Sequence, residues 1–173
     1  MTAGEGQPDP TQLGDALRSA DATLAIAESC TGGLLASRVT DAPGASDYFE
    51  RGFVTYANRA KQAALGVSRE ALDAHGAVSA AVAEEMAAGA RDVSGTDWAV
   101  ATTGIAGPTG GTEAKPIGTA YIGIARAAPW GSEASTVAGE HHVFEGDRRA
   151  VKAAIAGQAL NSLRERVERT IVE

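Results

Sequence analysis

The chain has 173 residues, 44% of them apolar and only 5% aromatic, with a net charge of −7. That length fits one domain with a real core, and the acidic balance argues against a sequence-independent grip on DNA or RNA, which needs a basic surface. No apolar run approaches the ~18 residues of a membrane span, no signal peptide precedes the first helix, and the single Cys30 cannot close an intrachain disulfide, so a cytoplasmic setting is expected.

Residues 1–9 (MTAGEGQPD) are polar and rich in Gly and Pro and read as a flexible tail. The remainder, 10–173, reads as one domain. A helix is predicted after Asp9-Pro10, with Leu13 and Leu17 on one face. TLAIA at 23–27 is a short buried strand. The next helix, 32–39, carries Leu34, Leu35 and Val39 at helical spacing, and Thr31 is placed to cap it. GFVTYA at 52–57 has strand composition. Asn58 caps a helix to Leu65, which Gly66 ends. Ser68 starts a short helix and Ser79 a longer one to about Val93, with Val82 and Met86 inward. DWAVAT at 97–102 is a third strand and 103–116 a Gly/Pro-rich loop. Residues 118–127 and 135–144 alternate as a hairpin around Pro129-Trp130-Gly131, and Asp147 opens a last amphipathic helix to about Ile171. The order α-β-α-β-α-α-β-β-β-α predicts an α/β fold: a three-layer α/β/α sandwich with a mixed, mostly parallel sheet.

The stretch AESCTGG at 27–33 sits where a strand becomes a helix. Ser29 then lies at a strand's carboxyl end, where open α/β sheets place ligands. Free amides of Thr31, Gly32 and Gly33 would point back to that spot and could hold an oxyanion or a phosphate. A plain capped turn satisfies the same spacing. The stretch is neither a GxSxG elbow nor a Walker loop.

A serine nucleophile needs a base. His75 falls at a helix end, and the adjacent His141 and His142 face opposite sides of a strand, so neither a Ser-His-Asp triad nor a metal site has support in the spacing. Lysine is the alternative. The three lysines are Lys61, Lys115 and Lys152. Tyr56 and Lys61 straddle the end of the second strand and the following helix, where both could converge on Ser29. A buried lysine can act as a base, although most lysines are solvated. The loop 102–119 offers backbone amides and the hydroxyls of Thr102, Thr103, Thr109 and Thr112 to a ligand. Cys30 is either a second nucleophile or a small buried side chain. An arginine at a helix start runs against the helix dipole, so Arg148 either meets an anion or is solvated.

Five stretches carry a resemblance to a known family: AESCTGGLLASRVTDAPGAS (27–46), FVTYANRAKQAALGV (53–67), HGAVSAAVAEEMAAGA (75–90), TGIAGPTGGTEAKPIGTAYIG (103–123) and FEGDRRAVK (144–152). Together they resemble the CinA C-terminal domain family, the nicotinamide-nucleotide amidases, in its standalone form. The resemblance implies hydrolysis of the carboxamide of nicotinamide mononucleotide to nicotinic acid mononucleotide and ammonia, returning the product to NAD synthesis. It implies Ser29 as nucleophile, with Lys61 and Tyr56 as base and relay. It implies a substrate site built from Cys30, Thr31, Gly32, Gly33, Thr103, Gly104 and Arg148, with Arg148 on the phosphate. No metal or other cofactor is expected. The expected partner is a small nucleotide, with no direct nucleic-acid or membrane contact, and a homodimer or higher oligomer is expected. The chain departs from many relatives at Arg51, where they have Gly, and at Lys152, where they have Arg. The molybdopterin-binding-like N-terminal domain of many relatives is expected to be absent with its activity. The alternative reading is a non-catalytic nucleotide-binding or regulatory module linked to competence or DNA damage.

Overall fold

The computed structural model describes residues 8–172. Its elements are α1 (Pro10–Ser19), β1 (Leu24–Glu28), α2 (Leu34–Thr40), a 3-10 turn (Ala45–Asp47), β2 (Phe49–Val54), α3 (Asn58–Leu65), α4 (Arg69–His75), α5 (Ala80–Ser94), β3 (Trp98–Gly104), β4 (Thr119–Arg126), β5 (Thr136–Val143) and α6 (Arg148–Val172). Most of the expected tail lies outside the described residues, but Asp9 belongs to the fold: its carboxylate caps α1 by accepting from the Thr11 amide at 2.9 Å.

The five strands form one sheet in the order β2-β1-β3-β4-β5. β1 is parallel to β2 and β3, while β3–β4 and β4–β5 are antiparallel. The sheet is thus mixed, and half of its pairings are parallel. From β1 the chain crosses through α2 to β2, then returns past β1 to β3. A right-handed crossover must change faces when it changes direction, so α2 lies on one face with α1 and α6, and α3 and α5 lie on the other. The consequence for function is geometric. β1, β2, β3 and β5 all run the same way and end at one edge, delivering the segments after Glu28, Val54, Gly104 and Val143 to the same place.

Alternation along the strands builds two cores. Leu24, Ile26, Val100 and Ile122 pack toward α1, α2 and α6 against Leu17, Leu35 and Leu163. Ala25, Ala27, Ala99 and Ala101 pack toward α5 against Val82 and Met86. The second core is built from small residues, so α5 approaches the sheet closely. At Gly123 on β4, a Cβ would sit 2.1 Å from the Ala83 carbonyl oxygen, which leaves no room for a side chain.

β2 begins at Phe49, three residues earlier than expected. In its first four residues Glu50, Arg51 and Gly52 are exposed. β2 is an edge strand, so it needs no apolar face there.

Candidate active site

The turn after β1 is the centre of the site. Ser29 is buried, 8% exposed, and its amide donates to the Thr102 carbonyl on β3 at 3.0 Å. Its hydroxyl makes no hydrogen bond among the described residues. The chain then turns through Gly32 (φ +59°) and Gly33 (φ +99°), both left-handed conformations that favour glycine.

Thr31 does not cap α2. Its hydroxyl pairs with that of Thr102 at 2.7 Å, and Gly33 occupies the cap position without a side-chain hydrogen bond. The acceptor comes from Glu28 instead. This buried carboxylate takes the Leu35 amide at 2.8 Å and the Ala36 amide at 3.1 Å. Glu28 is a residue the sequence reading missed, although an acid ending an apolar strand just before a helix start was the available signal. The expected bed of free amides is smaller than predicted. Gly32 donates to the Ser29 carbonyl at 3.1 Å, whereas the amides of Thr31 and Gly33 make no hydrogen bond among the described residues.

Lys61 projects from α3 into the interior and is 1% exposed. Its ammonium donates to the main-chain oxygen of Tyr56 at 2.9 Å. Among the described residues no carboxylate lies within the 4.0 Å of an ion pair. Burial pulls its pKa below the ordinary lysine value, opposed by a smaller effect of Cys30. The Tyr56 side chain follows a different path. It is 61% exposed, and its hydroxyl accepts from Arg148 Nη2 at 3.2 Å. Tyr56 therefore holds Lys61 through its carbonyl and Arg148 through its phenol.

Arg148 also donates through Nη1 to the Gly107 carbonyl. It ties the start of α6 to the Gly-rich loop and to the segment after β2. Thr103 donates to the Ala77 carbonyl at 2.8 Å, so its hydroxyl fastens β3 to the approach to α5. Gly104 is required by packing, because a Cβ there would lie 2.8 Å from the Thr119 carbonyl oxygen. Cys30 matches the small buried side chain of the two readings its position left open. Its side chain is buried among Ala106, Ala120, Val151 and Ile155, and burial, reinforced by Glu28, pushes the thiol up to about 12.

The histidines stand apart. His141 stacks on Tyr121 with ring centroids 4.8 Å apart, and His142 lies 3.4 Å from Glu140. Among the described residues no three His, Cys, Asp or Glu side chains group as metal ligands would, and no helix is long and apolar enough to cross a membrane.

The architecture and site define an α/β protein of a type seen in solved competence-damage proteins. A competence-damaged protein (CinA) superfamily protein from Klebsiella pneumoniae superposes with a TM-score of 0.84 at 32% identity, covering 92% of this chain and 96% of that one. A competence/damage inducible protein, CihA, from Agrobacterium tumefaciens superposes with a TM-score of 0.80 at 34% identity, covering 100% of both. Residues 8–167 match the CinA C-terminal domain, and the chain belongs to that family. A CinA-like protein of Chloroherpeton thalassium is 50% identical over 95% of this chain and 39% of its own length; that of Salinibacter ruber is 50% identical over 88% and 35%. The chain thus spans about two fifths of the length of these curated relatives.

Proposed function

We propose that this chain hydrolyses the carboxamide of nicotinamide mononucleotide to nicotinic acid mononucleotide and ammonia. The observation that carries the reading is a buried lysine without a carboxylate partner, at the strand edge where a serine hydroxyl stands free. Burying an ammonium costs folding free energy. A chain that only bound a nucleotide would have no use for that cost, while an amidase uses it to hold a base in its neutral form.

In this mechanism the neutral amine of Lys61 takes the Ser29 proton as Oγ attacks the carboxamide carbon. The resulting oxyanion is received by the unpaired amides of Thr31 and Gly33. The C–N bond then breaks, and ammonia leaves with the proton carried by Lys61. Water, deprotonated by the same amine, attacks the acyl carbon; Ser29 Oγ leaves with the proton and the acid product is released. The carbonyl of Tyr56 orients Lys61 throughout. Arg148 positions Tyr56 and the Gly-rich loop.

The covalent step is tested by acid-quenching the enzyme during turnover and weighing its peptides. The expected adduct has the mass of the nucleotide less ammonia and sits on the peptide bearing Ser29. Turnover without that adduct, under conditions where deacylation is slowed, would point to direct attack by water.

A further inference from the structure

The two edges of the sheet differ. β2 is guarded in the ways edge strands commonly are: it exposes Glu50 and Arg51, paired at 3.3 Å, and its register against β1 slips between Leu24 and Ala25. β5 is longer, 8 residues against 6, pairs with β4 in one unbroken register, and holds no Lys, Arg or Pro. Its one carboxylate, Glu140, is turned onto α6, where it accepts from Ser162 Oγ at 2.6 Å and from Arg166 Nη2 at 2.9 Å. That charge is compensated within its own chain.

The open side of β5 consists of defined groups. The Ala127 amide donates to the Asp97 carbonyl, and the Phe144 amide to the Gly118 carbonyl. These bonds fix the alternation of the ladder. Ala138, Glu140 and His142 bond β4, while the amides and carbonyls of Val137, Gly139, His141 and Val143 point away from it. Among the described residues these outward groups have no hydrogen-bond partner. The Val143 side chain beside them is 55% exposed.

We propose that β5 pairs antiparallel with β5 of a second copy of this chain, about a two-fold axis at His141, and joins two sheets into one. An axis normal to the sheet keeps each face on its own side, so only residues of like parity come opposite one another. With the axis at Glu140, that carboxylate would face itself. With the axis at Gly139, Val143 would face Ser135, outside the strand. With the axis at His141, Glu140 stands opposite His142 of the second copy, twice by symmetry, and Val143 covers Gly139. The outward amides and carbonyls of Gly139, His141 and Val143 are then all satisfied. The charge complementarity is that of the strand with itself, so the occupant is a second copy rather than a foreign strand. The assignment does not depend on the amidase reading.

The test is amide hydrogen exchange of the isotope-labelled chain at high and low concentration, beside sedimentation equilibrium. A concentration-dependent dimer is expected. The Gly139, His141 and Val143 amides should be protected in the dimer and exchange freely on dilution, while those of Glu140 and His142 stay protected throughout. His141→Lys sets two ammonium groups against each other on the axis and should weaken the dimer by about tenfold or more. Val137→Lys, opposite Glu145 of the second copy, should leave the dimer intact, and both variants should melt as the wild type does. A chain that stays monomeric at the highest concentration overturns the assignment. So does a dimer whose Gly139, His141 and Val143 amides exchange as in the monomer, or one that the two substitutions weaken equally.

Discussion

Lys61 Nζ donates to the main-chain oxygen of Tyr56 at 2.9 Å, and that carbonyl is its one hydrogen-bond partner among the described residues. A buried cation held only by a dipole keeps its proton poorly. In the unfolded chain this amine titrates near the ordinary value of about 10.4; in the fold, burial brings it lower. Between those two values the unfolded chain binds the extra proton. Folding stability therefore rises with pH through that window and is lost as pH falls.

Lys61→Met tests this link twice. The variant should lose hydrolysis by about 10²- to 10⁴-fold, the usual worth of a general base. It should also melt at a higher temperature than the wild type at pH 7, with the difference shrinking as pH approaches 10. A variant that loses activity and stability together would show that the ammonium is structural. In the wild type, hydrolysis should rise with pH as Lys61 loses its proton.

Glu28 is predicted to be structural, acting on Ser29 through the turn. Glu28→Ala leaves one buried and one half-buried amide without their acceptor, at about 1–3 kcal/mol for each fully buried group. Urea unfolding should show a loss of about 2–4 kcal/mol. A change below the usual ±0.5 kcal/mol of a surface substitution would mean that α2 finds other caps.

Gly123→Ala should cost about 1–3 kcal/mol, the range for overpacking a tight core, because the new methyl meets the Ala83 backbone rather than a side chain that could turn away. Chemical denaturation measures it. The β-propensity gain of alanine is too small to offset this contact.

Cys30 should resist iodoacetamide at pH 8 in the folded chain and react once the chain is unfolded, since a thiol held near 12 presents almost no thiolate. Rapid labelling of the native protein, with loss of activity, would return Cys30 to consideration as a nucleophile.

The order of elements was legible because each carries its own period. Leu13 and Leu17 mark α1, TLAIA marks β1, and Gly66, Ser79 and Asp147 punctuate α3, α5 and α6 as expected. The start of β2 was not legible, since an edge strand can be polar and Glu50, Arg51 and Gly52 are exposed, which leaves Phe49 alone to pack on the core. Nor was the capping of α2, which depends on a carboxylate arriving from β1 rather than on Thr31. Lys61 could be singled out by its neighbours, but its burial is a tertiary property that a solvated lysine in the same helix would not betray. The pairing of Arg148 with Gly107 and Tyr56 joins three segments far apart in the chain. Only the shared strand edge reveals it.

The most direct measurement is ammonia release from nicotinamide mononucleotide by the purified chain and by Ser29→Ala, side by side. The account predicts steady release by the wild type and none above background from the variant, with both proteins showing the same melting transition. Equal release by the two would remove Ser29 as nucleophile. No release from a well-folded wild type would contradict the amidase reading and leave a nucleotide-binding module.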